Sequence, residues 1–441
     1  MSFHLAYHNP LILKMYFSME NLCTLRQHAI LNLFLKRSRL DMGNNFWCYT
    51  GSKSLLMLSD ILFLMTVTLV IYQDTQSVAY AAVFPLIRTL CQLLAGLLSP
   101  VLTELFQAKR LLKWVPLLRI GMLVVFTTQF DFFQQHLIWL FSAFVLISIT
   151  GGFISPLLQA IMPMIVPENQ LVKANSTASV FYQSVQIAGY SFTGMLVLLI
   201  GPSYLMWASC FMIVLSYLLI IPVFSLLKQE DTVQKENKMN GFKDGWKIIW
   251  TNKTVRTLTF MDVSENIAGA LWVGPVTLAF VTLVLNEGAE WWGYINAAYY
   301  IGAIIGGLMA AWLSQFIQKQ LLLFMAAGSF IYAVLTILFS LNSLPWLALL
   351  LCILMGPAYQ IRDVSQQTIL QTETPVHELS KVYSAQYVLS SMSVSLSIFF
   401  VGLIADTFGA RFVYLLGGLF VLICSGIAIT TFMMQKKRAT V

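Results

Sequence analysis

Charged residues are scarce in this sequence. Asp, Glu, Lys and Arg together make up 10% of its 441 residues, whereas a soluble domain carries about a quarter. Hydrophobic residues make up 58% of the chain, and the mean hydropathy is +0.76. Because a membrane-crossing helix needs roughly 20 apolar residues, the chain has room for about a dozen such helices. No soluble catalytic domain fits beside them.

The motifs of several enzyme classes are also missing. The sequence contains no Walker A motif, no HExxH zinc motif and no GxSxG nucleophile motif with partner residues. Its six cysteines show neither CxxC nor metal-ligand spacing, and we interpret them as small core hydrophobes. We therefore predict no enzymatic activity, no catalytic residue, no cofactor and no bound metal.

Twelve apolar runs follow one another along the chain. We predict transmembrane helices at 54–72, 78–103, 111–128, 137–164, 172–200, 203–226, 255–284, 291–314, 320–340, 344–371, 381–405 and 409–434. The predicted organisation is an N-terminal extension (1–52), a six-helix half (53–226), a solvated linker (227–254), a second six-helix half (255–434) and a tail (435–441). Met19 and Met42 are both alternative starts, so the extension is either a cytoplasmic tail or an over-assigned beginning.

Basic residues occur in short segments between the apolar runs. This distribution argues against a nucleic-acid partner, although the net charge is +7. We assign 23 of the 26 Lys and Arg residues to one side of the membrane, and the positive-inside rule makes that side the cytoplasm. Both termini and the linker are then cytoplasmic.

An internal repeat relates the two predicted halves. The segment QAIMPMIVPENQLVKANS from Gln159 matches QTILQTETPVHELSKVYS from Gln367 at an offset of 208 residues. At the same offset Gly201 coincides with Gly409, and no gap is needed over about fifty residues. The pattern predicts an all-α membrane protein with two parallel six-helix pseudo-repeats.

Two longer segments resemble a known family. Residues 155–175, SPLLQAIMPMIVPENQLVKAN, and residues 402–418, GLIADTFGARFVYLLGG, are similar to the major facilitator superfamily, and within it to the macrolide-efflux-like and siderophore-export-like branch. The resemblance covers residues 50–435. It implies twelve transmembrane helices in the major facilitator fold, secondary active transport, and export rather than uptake.

Charged residues inside the apolar runs are the main candidates for function, because each costs about 2.5–3.5 kcal/mol to place in a bilayer. They are Asp60, Arg88, Arg119, Asp262, Glu265, Arg362 and Asp363. A carboxyl withdrawn from water in a central cavity can exchange a proton near neutral pH. We predict proton coupling at Asp60, Glu265 or Asp262, of which the last two share one helix face; interhelical hydrogen bonding is the alternative.

The remaining candidates divide into charge pairs, a latch and cavity residues. We predict that Arg88, Arg119, Arg362 and Asp363 form intramembrane charge pairs or contact substrate, and that Arg362 and Asp363, as helix neighbours, do not pair directly. Glu104 with Lys109 and Arg110 is interpreted as a conformational latch, with plain topology charges as the alternative. Candidate cavity residues are Gln183, Gln186, Asn266, Trp272 and Asn296.

The sequence thus predicts a monomeric, proton-coupled exporter of small amphipathic or cationic compounds that works by alternating access in a bacterial plasma membrane. Its expected partners are a small-molecule substrate, protons and the lipid bilayer. Uptake or lipid movement by the same fold is the first alternative. A transport-dead membrane sensor or assembly protein is the second.

Overall fold

The structure is a computed structural model that describes residues 43–75, 78–106, 108–224, 241–272, 274–288 and 290–439. Long helices occupy all twelve predicted runs. They are α1 (Asn44–Thr75), α2 (Val78–Phe106), α3 (Ala108–Thr128), α4 (Leu137–Gln159), α5 (Leu171–Ile200), α6 (Pro202–Phe224), α7 in two segments (Lys253–Gly269 and Gly274–Leu283), α8 (Glu290–Trp312), α9 (Leu321–Leu341), α10 (Pro345–Glu373), α11 (Val376–Phe408) and α12 (Ala410–Ala439).

Nine helices in the described part of the chain are long and apolar enough to cross a membrane. The other three are α5, α7 and α12. α7 is interrupted at Ala270–Trp272 by a 3-10 turn, and the apolar part of α12 within the searched residues is the shorter stretch Ala410–Gly426. Large apolar side chains on the outer surface stay exposed, for example Ile138 and Trp346 at about three quarters. Such a surface suits lipid rather than water.

Each set of six helices has its own aromatic core. In the first, α1 packs against α5 and α6, α2 against α4, and Phe63 contacts Phe126 and Phe144 with ring centroids 5.2 and 5.6 Å apart. In the second, α10 packs against α8 and α9, and α12 packs against α7 and α9. There Phe280 and Phe339 stack with centroids 4.7 Å apart.

The sequence repeat has a counterpart in backbone conformation. Gly201 and Gly409, 208 residues apart, join α5 to α6 and α11 to α12 with φ angles of 87° and 83° and the same ψ of 158°. Residues with a side chain rarely adopt this region of φ and ψ, so both turns require glycine. Pro167 and Pro375, also 208 apart, precede α5 and α11 with nearly equal φ and ψ angles.

Glycines let α8 and α10 approach at backbone distance. A Cβ atom added to Gly302 would overlap the backbone of Ile353, and one added to Gly356 would overlap the backbone of Gly302 and Ala303. Gly302 and Gly356 are therefore positions where only glycine allows the two helices to pack this closely.

The two sets of helices meet where α2 packs against α11 and α5 against α8. Buried amides join them at the end that carries Lys173 and Lys381. Asn175 Nδ2 donates to Gln371 Oε1 at 2.8 Å and to Thr368 Oγ1 at 3.1 Å, and Gln360 Nε2 donates to Ser179 Oγ at 2.7 Å. We call this end of the bundle the basic end; the bonds join the two sets of helices there.

Two predicted boundaries need correction. α1 begins at Asn44, ten residues before the predicted run, because Phe46 and Tyr49 are 1% exposed and extend its packed face. The linker is not solvated throughout: residues Gly241–Thr251 form a helix, here called the linker helix, that packs on α2, α7 and α11. The remaining parts of the predicted extension and linker fall within residues 1–42 and 225–240, which lie outside the described residues.

Candidate functional site

The charges inside the first set of helices form one cluster around Asp60. Arg119 Nη2 of α3 donates to Asp60 Oδ1 at 2.5 Å, and Arg88 Nη2 of α2 lies 3.6 Å from Asp60 Oδ2. The Arg119 side chain is 6% exposed, so this ion pair is buried. Two guanidinium groups share one carboxylate, which leaves the cluster with one surplus positive charge.

A second cluster is built around Arg362 of α10. Its guanidinium forms an ion pair with Glu265 of α7, and Ser329 Oγ of α9 donates to Glu265 Oε1 at 3.2 Å. Arg362 Nη1 also lies 4.0 Å from Asp363 Oδ1. Our prediction that these neighbours do not pair was therefore wrong, although Glu265 is the nearer partner of Arg362. Arg362 is buried within α10 and not in a loop. It therefore does not belong among the 23 basic residues that the sequence analysis assigned to the cytoplasmic side.

Asp262 belongs to neither ion-pair cluster. It lies one turn before Glu265 on α7, and its Oδ2 accepts hydrogen bonds from Ser390 Oγ of α11 at 2.6 Å and from Asn266 Nδ2 at 3.1 Å. No Lys or Arg among the described residues lies within ion-pair distance of it. Asp262 therefore accepts hydrogen bonds from neutral donors, and Arg362 on the same cavity wall attracts it only from beyond ion-pair distance.

A cavity of about 220 Å³ opens beside Asp262, within the second set of helices. It lies where the first segment of α7 gives way to the 3-10 turn Ala270–Trp272. The residues lining it come from α7, α8, α9, α10 and this turn: Asp262, Glu265, Asn266, Gly269, Trp272, Ile295, Asn296, Tyr299, Tyr300, Tyr332, Tyr359 and Arg362.

Aromatic rings form much of the cavity wall. Tyr299 lies at the centre, with ring centroids 5.7 Å from Tyr300, 6.2 Å from Tyr359 and 6.4 Å from Trp272. Arg362 lies over the Tyr359 ring at 5.5 Å. A few polar groups in an aromatic wall are typical of a small-molecule site, and the ring faces attract cations.

Comparison with known sequences identifies the fold that holds this cavity. A sequence profile of the Major Facilitator Superfamily matches residues 51–398. The chain belongs to the Major Facilitator Superfamily. Its all-helical architecture is the superfamily fold of twelve transmembrane helices in two parallel six-helix halves. The chain is thus a multi-pass membrane protein and not an enzyme.

Relatives and solved structures agree with this assignment. The uncharacterized MFS-type transporters YfmI and YjbB of Bacillus subtilis (strain 168) are each 30% identical to the chain, over 399 and 375 residues. These matches cover 90% and 85% of this chain and 98% and 92% of the relatives. The superfamily relationship makes the chain a secondary transporter of small molecules.

Among solved structures, a bacterial homologue of the iron transporter ferroportin in an outward-facing state has a TM-score of 0.74 at 13% identity. The match covers 88% of this chain and 99% of that one. The fucose:proton symporter of E. coli has a TM-score of 0.67 at 12% identity, covering 87% and 98%. At such identities the likeness shows the fold alone.

The predicted cavity residues divide into those the superfamily fold brings together and those it does not. Asn266, Trp272 and Asn296 line the cavity. Gln183 instead donates from α5 to Gln360 Oε1 at 3.4 Å, and Gln186 is not among the lining residues. The tyrosines of α8, α9 and α10 were missed because tyrosine in a membrane span carries no sequence signal of its own.

The predicted latch is only partly described. Lys109 is half-buried at the start of α3 and Arg110 beside it is exposed. The side chain of Glu104 lies outside the described part of the chain. The latch therefore stays a prediction.

Proposed function

We propose that this transporter exports small amphipathic compounds in exchange for protons, and that Asp262 is the acid that carries the proton. The observation that supports this most directly is the position of Asp262 on the cavity wall without a basic partner in the described residues. An acid held by neutral donors can accept a proton without leaving a buried base unpaired. Proton binding there is therefore compatible with a stable cavity.

The geometry favours Asp262 over the two acids that sequence reasoning placed first. Asp60 and Glu265 each form an ion pair with a guanidinium whose side chain is 6% or less exposed. Protonating either carboxyl strands that guanidinium in the bundle, which is costly. We propose that these two clusters position helices, and that proton exchange takes place at Asp262.

The cavity suits an amphipathic substrate because it joins flat aromatic walls to two amides, to the Asp262 carboxylate and to the ion pair of Glu265 with Arg362. A substrate carrying a positive charge gains from Asp262 when the carboxylate is ionised and loses that attraction when it is protonated. Binding of such a substrate and of a proton then exclude each other. This exclusion is what antiport requires, since one proton must enter for each release of substrate.

Alternating access requires the basic end to open during the cycle. The bonds from Asn175 to Gln371 and from Gln360 to Ser179 would then break, while contacts form at the other end. Neutral amides suit this switch, because water can replace their partners at little net cost. We propose that the basic end faces the cytoplasm of a bacterial cell, that both termini lie there, and that the monomer is the working unit. Export rests on the resemblance of residues 155–175 and 402–418 to efflux proteins.

The proposal is tested in proteoliposomes with an imposed pH gradient, using a panel of fluorescent amphipathic compounds that are cationic, neutral or anionic. Wild type is expected to drive a compound against its gradient, and an uncoupler should abolish this. Asp262→Asn keeps size and hydrogen bonding but cannot ionise, so gradient-driven transport should fall at least about a hundredfold, within the range expected for a lost proton-transfer group. The exposed acid Asp131 supplies the matched control, Asp131→Asn.

Three outcomes would contradict parts of this proposal. Full gradient-driven transport by Asp262→Asn would exclude this acid as the coupling group. Transport along the proton gradient rather than against it would replace export by uptake. Failure of folded wild type to move any compound in the panel would favour a sensor or assembly role.

A further inference from the structure

The linker helix presents one fixed face outwards because its other face is anchored to the bundle. Ile249 is 3% exposed in a cluster that includes residues of α11. Lys381 Nζ of α11 donates to Asp244 Oδ2 at 2.8 Å. Gly245 lies against the α11 backbone, where an added Cβ would overlap the Lys381 carbonyl. The helix therefore cannot roll without breaking these contacts.

The outward face of the linker helix and the adjoining start of α7 together carry three bases and a tryptophan. Lys247 and Trp250 lie one turn apart on the linker helix, and Lys253 and Arg256 lie one turn apart at the start of α7. All four side chains are exposed, Trp250 at 65%. We call these four residues the basic elbow.

The turn at the centre of the basic elbow is structurally defined. Asn252 separates the two helices, and its Oδ1 accepts the backbone N–H groups of Thr254 at 2.9 Å and Val255 at 3.2 Å, which caps α7. Arg256 Nη1 donates to the Trp250 carbonyl oxygen at 3.2 Å. The guanidinium is thereby held beside the tryptophan, so the elbow is organised before any ligand arrives.

The three bases are not paired with acids in the part of the chain that the structure describes. None of them has a carboxylate within ion-pair distance among the residues that the structure describes. Asp244, the acid of the linker helix, is engaged by Lys381 on the opposite face. Within the described residues, the elbow therefore presents three positive charges without a carboxylate partner.

We propose that the basic elbow binds the headgroup of an anionic phospholipid. It lies where α7 begins its path across the membrane, the level at which headgroup phosphates lie, and tryptophan is favoured at this level because its ring is apolar and its N–H is polar. Lys and Arg at the surface attract anionic lipids. A free phosphate ion is also anionic but gains nothing from an exposed indole, so the elbow fits a lipid better. The site is separate from the transport cavity and does not depend on the proposed substrate or coupling.

The test uses the full-length protein purified in detergent and native mass spectrometry with phosphatidylglycerol and phosphatidylcholine in competition. Wild type is expected to retain at least one phosphatidylglycerol in preference. Lys253→Gln combined with Arg256→Gln should lower that preference by about tenfold or more, since each base near the surface contributes measurably to anionic-lipid binding. Trp250→Ala is the second variant and should lower lipid retention without changing the charge.

Matched controls separate the elbow from general charge and general tryptophan effects. Lys113→Gln combined with Lys319→Gln removes two exposed bases elsewhere, and Trp312→Ala removes a tryptophan that is 59% exposed. Both controls should keep the wild-type preference. An equal loss in the charge control, or no lipid preference in folded wild type, would overturn the proposal. Inorganic phosphate that displaces the lipid at millimolar concentration would also overturn it, because the elbow would then be a simple anion site.

Discussion

Two carboxyls one turn apart on α7 are expected to respond very differently to neutralisation. Glu265→Gln removes the ion-pair partner of Arg362, whose side chain is 3% exposed. Asp262→Asn removes a charge that accepts hydrogen bonds from Ser390 and Asn266 and has no ion-pair partner in the described residues. The first change leaves a buried guanidinium with only the more distant Asp363 carboxylate, and the second takes no ion-pair partner from a base. Stability should therefore fall much more for Glu265→Gln.

The size of the effect follows from burial. Removing one partner of a buried ion pair costs about 3–5 kcal/mol in the free energy of unfolding. Glu265 is 11% exposed and Arg362 retains Asp363 at 4.0 Å, so the lower end of this range, about 3 kcal/mol, is expected. Asp262→Asn keeps its size and most of its hydrogen bonds, and its cost should stay below about 1 kcal/mol.

The assay is equilibrium or thermal unfolding in detergent for wild type, Glu265→Gln, Arg362→Met, the double variant and Asp262→Asn. The double variant removes both charges, so it should recover at least half of the loss seen in Glu265→Gln. A Glu265→Gln variant as stable as wild type would refute the reasoning. So would a double variant whose loss equals the sum of the two single losses, because the pair would then not be coupled.

Two further predictions concern the turns and the topology. Gly201→Ala should lower the free energy of unfolding by about 1–3 kcal/mol, because φ of 87° is strained for alanine. Gly194→Ala is the control and should cause no such loss, since its added Cβ meets nothing within 4 Å. Equal losses in the two variants would contradict the prediction. Reporter fusions within 227–254 and at the C-terminus should report the cytoplasm, and a fusion within 285–288 the opposite side; an opposite report at either of the first two would reject the orientation.

The positions of the helices could be predicted from the sequence because apolar length is a local property. A run long enough to cross a membrane forms a helix wherever it lies, since its backbone must satisfy its own hydrogen bonds in lipid. Boundaries were less predictable where tertiary packing extends a helix into polar sequence. Asn44 begins α1 and Gly241 begins the linker helix for that reason, since Tyr49 and Ile249 gain burial against other helices.

The repeat was also determined by the sequence. Gly201 and Gly409 share a conformation that only glycine adopts readily, so their spacing already carried the symmetry of the two halves. Likewise, the cost of placing charge in a bilayer was enough to single out Asp60, Asp262 and Glu265 as unusual.

Only the tertiary structure decided which of these acids is paired. An ion pair depends on side chains brought together from helices far apart in sequence, as Arg362 of α10 is brought to Glu265 of α7. The same holds for the cavity, whose tyrosines come from α8, α9 and α10 and have no shared spacing along the chain. The sequence by itself determined the helices, their duplication and the costly charges, because those follow from local composition. Packing between helices decided which charges form ion pairs, and which acid has no ion-pair partner in the described residues.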